Sequence, residues 1–216
     1  MKKTALITGA TRGIGRAIAQ ELGKDHHIYA GASADASEVV AALPSAEPFV
    51  ADLTDTDAIL RAASQIEQLD VLVLSAGVME HGPLEQLDDA AWRRMMEVNL
   101  FAPVTLTRAL LPALRRQRGL IITLNSGAGF HGIADNSGYC ASKFALRGFT
   151  ESLQLEEAGK IRVTSLHPGR TDTDMLAGDD ALPKMPATEV AKAARLAVDA
   201  GPDAVVEFLR VRPSAS

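Results

Sequence analysis

Tyr139 and Lys143 stand four positions apart in a segment with helical spacing, so they share one face of the helix. A free phenol titrates at about pH 10, which is too high for an efficient base in neutral solution. A neighbouring ammonium favours the phenolate and lowers the pKa of the phenol. The pair therefore predicts general acid–base chemistry, with Tyr139 giving a proton to a substrate oxygen or taking one from it. Taken alone, the same spacing also suits a packing tyrosine followed by a solvated lysine.

A glycine-rich turn supplies the second chemical signal. The residues from Thr8 to Gly15 read TGATRGIG and lie between a short apolar run and a helical pattern. Backbone N–H groups at a helix N-terminus favour a bound pyrophosphate, and glycines allow the backbone to approach it closely. The spacing of Gly9, Gly13 and Gly15 differs from the common GxGxxG fingerprint. Its position after the first strand nevertheless predicts a dinucleotide site.

The second strand indicates which dinucleotide is preferred. NAD enzymes usually place a carboxylate on the ribose about 20 residues beyond the turn. Here that strand ends in AGAS at residues 30–33, and the first acid is Asp35. Without a carboxylate to repel a 2′-phosphate, Arg12 and Ser33 can bind it, which predicts NADP as the cofactor. The alternative is that Arg12 is a surface arginine and Asp35 reaches back to the ribose of NAD.

The elements that position these residues alternate between strand-like and helix-like patterns. Short apolar runs predict seven strands at residues 4–7, 27–30, 48–51, 71–74, 120–124, 161–166 and 205–209. Amphipathic spacing predicts helices at residues 13–23, 55–68, 100–116, 139–157 and 188–199, the last with Thr188 as its N-cap. This alternation predicts an α/β fold, a doubly wound parallel sheet (Rossmann fold) of about seven strands with helices on both faces. Ligands bind such sheets beyond the carboxyl ends of the strands.

Composition narrows the function classes. The chain has 216 residues, enough for one domain (1–216) with a large core, and a net charge of −5 argues against nucleic-acid binding. One cysteine, Cys140, and scattered histidines predict no metal site and no internal disulfide. No run approaches the ~18 apolar residues of a membrane span, so we expect a cytoplasmic protein. Residues 173–187 are interpreted as a substrate lid, and residues 213–216 as a frayed tail.

Several motifs in order resemble the short-chain dehydrogenase/reductase family over nearly the whole chain. The most specific is YCASK at residues 139–143, with Ser126 thirteen positions before Tyr139 and Asn99 twenty-seven before Ser126. The glycine-rich turn and the segment from Pro168 to Met175 are similar to those of bacterial 3-oxoacyl-carrier-protein reductases. The sequence departs from the family in reading Leu74-Ser75-Ala76-Gly77 where Asn-Asn-Ala-Gly is usual, and in being shorter between Met175 and Pro186 and at the C-terminus.

The resemblance implies an oxidoreductase that moves a hydride between NADP(H) and a small carbonyl or alcohol substrate. It implies a catalytic set of Asn99, Ser126, Tyr139 and Lys143, in which Ser126 binds the substrate oxygen and Asn99 supports a water leading to Lys143. It implies cofactor contacts from Gly9, Thr11, Arg12, Gly13, Ile14, Gly15, Ser33, Asp52, Leu53, Ser75, Ala76, Gly77, Tyr139, Lys143, Pro168, Gly169, Thr171 and Thr173. Family members pair equivalent helices across subunits, so a homodimer or homotetramer is expected.

The substrate pocket is expected to include Phe130, His131, Met79, His81 and Met175. Because the nameable pocket residues are mostly small or apolar, a modest uncharged carbonyl compound is predicted. Two other functions stay open. A non-catalytic NADP-binding sensor or scaffold of the same fold has no need of a general acid, and nucleotide-sugar epimerisation needs a larger substrate-binding extension after Gly169.

Overall fold

The computed structural model describes residues 2–179, 181–201 and 203–214. Its strands are β1 (Lys3–Ile7), β2 (His26–Ala32), β3 (Ala46–Val50), β4 (Val71–Leu74), β5 (Leu120–Leu124), β6 (Arg162–Pro168), β7 (Thr171–Asp172), β8 (Met185–Pro186) and β9 (Phe208–Val211). Seven of them form one parallel sheet in the order β3-β2-β1-β4-β5-β6-β9. The order in which successive strands are added reverses between β1 and β4, which is the switch point where such folds bind ligands.

Within the described residues, seven α-helices connect the strands. They are α1 (Gly13–Leu22), α2 (Ser37–Ala41), α3 (Thr56–Ala63), α4 (Asp89–Met96), α5 (Ala102–Gln117), α6 (Ser137–Glu156) and α7 (Ala187–Asp199). A π-helical turn, Glu97–Phe101, joins α4 to α5, and short 3-10 turns lie at Leu84–Gln86, Gly127–Gly129 and Asp174–Leu176. The predicted Rossmann fold of about seven strands is confirmed.

Side chains along the central strands alternate between the two faces of the sheet, and both faces are buried. These strands are therefore continuous apolar runs in the sequence. In β4, Val71 and Val73 join the core beneath α1 and α7, whereas Leu72 and Leu74 join the core beneath α3 and α5. Both faces are covered by helices, so neither face needs polar residues.

Several predicted boundaries were wrong. The helix predicted at residues 55–68 ends at Ala63, and α7 begins at Ala187 with Pro186, not Thr188, as its N-cap. The last strand pairs at residues 208–211 instead of 205–209, although the Ser165 N–H also donates to the Glu207 carbonyl at 2.9 Å. The Thr164 hydroxyl donates to the Val206 carbonyl at 2.7 Å, and the Gln154 amide donates to the Glu207 carbonyl at 2.9 Å.

The segment predicted as a lid has local structure of its own. A 3-10 turn covers Asp174–Leu176, and β8 pairs with β7, which buries Met185. Residue 180 lies outside the described part of the segment. Of the predicted tail, Pro213 packs beside Gly169, and residues 215 and 216 lie outside the described residues. None of the described helices has the length and apolar character to cross a bilayer.

Candidate active site

The glycine-rich turn is tightly packed between β1 and α1. Gly9 has a φ of +65°, in the left-handed region that favours glycine. A Cβ on Gly15 would overlap the carbonyl oxygen of Gly9 and lie 2.7 Å from Oγ of Ser75. Helix α1 begins at Gly13 with no side-chain cap and no acid in its first turn, so its first N–H groups are left for an anion.

Thr8, which the sequence analysis did not single out as a site residue, ties this turn to the end of β4. Its hydroxyl accepts from the backbone N–H groups of Ser75 and Ala76, both at 3.0 Å. The Ser75 hydroxyl in turn donates a hydrogen bond to the Thr8 carbonyl. The threonine is buried in the strand-to-turn junction, and only its position at the end of an apolar run could have indicated it.

A groove of about 690 Å³ runs over the carboxyl ends of β1, β2 and β4. Its walls include the following predicted cofactor residues: Gly9, Thr11, Arg12, Gly13, Ile14, Gly15, Ser33, Asp52, Leu53, Ser75, Ala76, Gly77 and Thr173. Sequence reasoning missed Gly31, Arg94 and Asp174, which also line it. A side chain at Gly31 would come within 2.5 Å of the Ile7 carbonyl oxygen, so the strand must carry glycine there.

Arg12 and Asp35, the two charged residues considered for the ribose contact, each have a partner within the protein. Arg12 forms an exposed ion pair with Asp174 at 3.2 Å, which joins the glycine-rich turn to the lid segment. Asp35 accepts from the backbone N–H and the hydroxyl of Ser37, at 2.8 and 2.9 Å, at the start of α2. These hydrogen bonds lower the pKa of Asp35, and its carboxylate does not line the groove.

Helix α6 carries Tyr139 and Lys143 on one buried face. The lysine Nζ lies 5.7 Å from the centre of the tyrosine ring and donates to the Leu124 carbonyl at 2.8 Å. Burial raises the pKa of Tyr139, an effect that a hydrogen bond with Ser126 partly opposes. Burial also lowers the pKa of Lys143 to about 8.

The loop after β5 brings Ser126 to the Tyr139 hydroxyl. Its own hydroxyl accepts from the Ala128 N–H at 3.1 Å, and its N–H donates to the side chain of Asn125 at 2.8 Å. His167 braces the loop from β6, because its Nδ1 lies 3.2 Å from the Ser126 carbonyl and its Nε2 lies 2.7 Å from the Ser165 hydroxyl. Burial lowers the pKa of His167 to about 4, so it is neutral at pH 7.

Asn99 lies in the π-helical turn and is buried behind the groove instead of lining it. Its side-chain oxygen accepts from the Val78 N–H at 2.8 Å, and its amide nitrogen donates to the Val78 carbonyl at 2.9 Å and to the Ser142 hydroxyl at 3.0 Å. A Cβ at Gly77 would lie 3.3 Å from Oδ1 of Asn99 and 3.9 Å from Nζ of Lys143. Asn99 therefore couples the segment after β4 to α6.

A second cavity of about 850 Å³ continues the groove, since both are lined by Ile14, Ser75, Gly77, Met79, Thr173 and Met175. Of the predicted catalytic and cofactor residues, Ser126, Tyr139, Lys143, Pro168, Gly169 and Thr171 lie on its wall. His81, His131 and Met175 lie there as expected for pocket residues. Phe130 does not, because its ring packs 4.6 Å from that of His167 and 5.6 Å from that of Phe208.

The first groove fits a dinucleotide. It offers a glycine cradle that a single Cβ would fill and an uncapped helix N-terminus for a pyrophosphate. The second cavity places a hydroxyl pair, Ser126 and Tyr139, on its wall, and a Cβ on Gly77, which lines both cavities, would lie 3.9 Å from Nζ of Lys143. In the described part of the chain, no three His, Cys, Asp or Glu side chains are grouped to hold a metal ion.

Comparisons with known proteins identify the family. A family model described as short chain dehydrogenase matches residues 3–182. The 3-oxoacyl-[acyl-carrier-protein] reductase of Haemophilus influenzae is 35% identical over 183 residues, 80% of this chain and 76% of that protein. The trans-4-hydroxycyclohexanecarboxylate dehydrogenase of Sinomonas cyclohexanicum is 34% identical over 195 residues, 82% of this chain and 75% of that protein.

Solved structures show the same fold. An alcohol dehydrogenase from the archaeon Thermococcus sibiricus, complexed with 5-hydroxy-NADP, superposes with a TM-score of 0.90 at 27% identity, covering 99% of this chain and 97% of that one. A metagenomic short-chain oxidoreductase in complex with NADP superposes with a TM-score of 0.85 at 33% identity, covering 98% of this chain and 97% of that one. The chain belongs to the short-chain dehydrogenase/reductase family.

Proposed function

We propose that the protein is an NADP-preferring oxidoreductase that interconverts a small carbonyl compound and its alcohol, with Tyr139 as the general acid and base. The observation that carries the proposal is the convergence of Ser126, Tyr139 and Lys143 on one cavity that opens into the dinucleotide groove. The two relatives named above are a reductase of an oxo group and a dehydrogenase of a hydroxy compound, which supports the same reaction class.

The side chains divide the chemistry among them. When bound, the reduced nicotinamide supplies a hydride to the carbonyl carbon. Tyr139 gives its proton to the carbonyl oxygen, and in the reverse direction takes it from the alcohol. Ser126 donates a hydrogen bond to the same oxygen as negative charge develops there. Lys143 favours the phenolate that remains on Tyr139.

In the proposed enzyme, Asn99 does not contact the substrate directly. It is buried behind the wall and hydrogen-bonded to Val78 and Ser142, so it holds the segment after β4 against α6. In the proposed enzyme it supports the water that leads to Lys143.

The preference for NADP rests on charge. Asp35 is engaged by Ser37 and stays off the groove wall, whereas Arg12 and Ser33 lie on it. A 2′-phosphate on the ribose would compete with Asp174 for the Arg12 guanidinium, and two negative charges outweigh one. The same site offers an NAD ribose no carboxylate partner at the end of β2.

Titration with NADPH and with NADH, followed by fluorescence, tests the proposal. Wild type is expected to bind NADPH more tightly than NADH. Arg12→Ala is expected to weaken NADPH binding by about tenfold, as the loss of a charge-assisted contact does. The matched control is Arg16→Ala, since Arg16 pairs with Glu38 at 2.8 Å and does not line the groove. A preference for NADH would transfer the ribose contact to Asp35, and binding of neither would contradict the enzyme assignment.

The proposal includes a homodimer or homotetramer in the cytoplasm. Phe101 before α5 and Phe144 on α6 leave nearly half of their surface exposed, at 48% and 45%. Large apolar side chains at this exposure suit burial against a second copy. Light scattering at micromolar concentration tests the assembly, and a monomer would contradict it.

A further inference from the structure

The substrate cavity carries positive charge that its own carboxylate does not balance. Its one described acid is Asp179, which pairs with Arg170 at 2.7 Å and also accepts through its backbone carbonyl. Arg210 and Arg212 lie on the same wall. Among the described residues, neither of these two arginines forms an ion pair with an acid.

Both arginines lie on the cavity wall, Arg210 within β9 and Arg212 directly after its last residue. Leu209 and Val211 pack into the core beneath α7, so Arg210 and Arg212, two positions apart, face the other way. Arg210 lies above the loop that follows Ser126, with its guanidinium carbon 5.8 Å from the centre of the Phe130 ring.

Arg212 is fixed by the segment that leaves β6. The Gly169 N–H donates to the Val211 carbonyl at 2.6 Å, and a Cβ on Gly169 would lie 3.3 Å from both Cα and Cγ of Arg212. Glycine at this position therefore lets the arginine backbone approach the cavity wall. Both arginines are exposed to the cavity solvent, where an incoming ligand can reach them.

The neighbouring charges have the same sign. The pKa of His167 is lowered chiefly by burial and further by the charges of Arg147, Lys143 and Arg210. A neutral His167 and an array of cations give this end of the cavity a positive potential. Other parts of the wall are apolar, including Ile133, Ala134 and Leu176.

We propose that Arg210 and Arg212 form an anion subsite, and that the carbonyl substrate has an apolar body and carries a carboxylate or phosphate group. Guanidinium groups present planar paired donors that match the oxygens of these anions. This inference rests on the proposed function for the carbonyl, and it replaces the uncharged substrate expected from the sequence. The two arginines were not predicted as pocket residues, because the sequence alone does not place the last strand beside the cavity.

Matched compounds separate the charge from the carbonyl. The probes are 4-oxopentanoate with its methyl ester, and dihydroxyacetone phosphate with dihydroxyacetone. Calorimetric binding is measured on the NADPH-loaded Tyr139→Phe protein, and turnover is measured on wild type by NADPH oxidation. At least one anionic probe is expected to bind about tenfold more tightly than its neutral partner, and which pair shows the larger ratio distinguishes a carboxylate from a phosphate.

The variant to compare is the double substitution Arg210→Gln/Arg212→Gln, with Arg61→Gln on α3 as the control far from the cavity. In the double variant, the ratio of the affinity for the anionic probe to that for its neutral partner is expected to fall to about one. In the control, this ratio is expected to stay unchanged. Equal binding of both members of each pair, or a ratio that survives in the double variant, would overturn the subsite even if ketones are reduced. Selective binding of an anion without any NADPH-dependent reduction would support the subsite and overturn the proposed function.

Discussion

Nζ of Lys143 lies 5.7 Å from the centre of the Tyr139 ring, and both side chains are buried in the same face of α6. Burial favours the neutral form of each group, so the pKa of Tyr139 is raised and that of Lys143 is lowered to about 8. Without a bound cofactor, Tyr139 therefore stays protonated and can act as a proton donor. This state suits reduction of a carbonyl, in which the phenol must be protonated at the start.

The Tyr139→Phe variant is expected to keep its fold and its NADPH binding and to lose turnover by about 10²- to 10⁴-fold, the usual contribution of a general acid. Phenylalanine preserves the ring that packs with Met95 and Ala128, and removes only the hydroxyl. Single-turnover kinetics with saturating NADPH make the measurement. Turnover within a factor of three of wild type would remove Tyr139 from the mechanism, whereas NADPH binding by a wild type that turns over none of the carbonyl compounds tested would favour the non-catalytic sensor.

The pH dependence of the two directions is expected to differ. Reduction needs protonated Tyr139, and its raised pKa keeps that proton in place across pH 6–9, so kcat/KM for reduction should stay level there. Oxidation needs the phenolate, so its rate should rise with pH. Above about pH 8 the rise should become less steep, because Lys143 loses the charge that favours the phenolate.

Both profiles are measured from pH 6 to 10 at constant ionic strength. A reduction rate that falls tenfold per pH unit from pH 6 would mean that the proton donor is a group of much lower pKa than a buried tyrosine.

The sequence could place a candidate site residue where that residue directly follows a strand. Gly9 and Ser75 each come at or just after the end of an apolar run, so the parallel sheet brings them to one edge. The YCASK motif needed only the helical period to put Tyr139 and Lys143 on one face. These predictions depend on local spacing and on a regular architecture.

What the sequence missed depends on packing between distant segments. Arg212 reaches the cavity because β9 pairs with β6 in a register that runs from Ser165–Phe208 to Pro168–Val211. Arg12 meets Asp174 only because a turn 162 positions later folds over the glycine-rich loop. Short helices such as α2 also lack the length for a periodic signal, so Asp35 could not be placed at a helix start.

Gly15→Ala is expected to weaken NADPH binding by more than tenfold and to lower the free energy of unfolding by about 1–3 kcal/mol, as overpacking does. The added methyl group would meet the Gly9 carbonyl and the Ser75 hydroxyl, and would displace the turn that receives the pyrophosphate. The matched control is Gly132→Ala, where no heavy atom lies within 4 Å of the added carbon. Fluorescence titration and urea denaturation give the two readouts, and wild-type NADPH affinity in Gly15→Ala would show that the turn does not hold the cofactor.

Lys143→Met is expected to abolish activity while stabilising the protein at pH 7. Lys143 is almost fully buried, and in the described part of the chain its one hydrogen-bond acceptor is the Leu124 carbonyl. Lowering its pKa from 10.5 to about 8 sets an upper limit of about 3 kcal/mol on the cost of burying the charge. Since methionine also loses the hydrogen bond to Leu124, the net gain should be about 1–2 kcal/mol.

The pH dependence of this gain gives the sharper check. Between pH 8 and 10.5 the unfolded chain binds the Lys143 proton and the folded chain does not, so the stability of wild type should rise with pH across that window. The methionine variant lacks this contribution, so its advantage in stability should shrink as the pH rises and, because the roughly 3 kcal/mol cost exceeds the net gain, should reverse by about pH 10. Urea denaturation of both proteins at pH 7 and pH 10 measures it. A variant that is less stable at pH 7, or a difference that does not change with pH, would mean that Lys143 is held as a well-compensated cation, and that its charge is retained for structure as much as for the reaction.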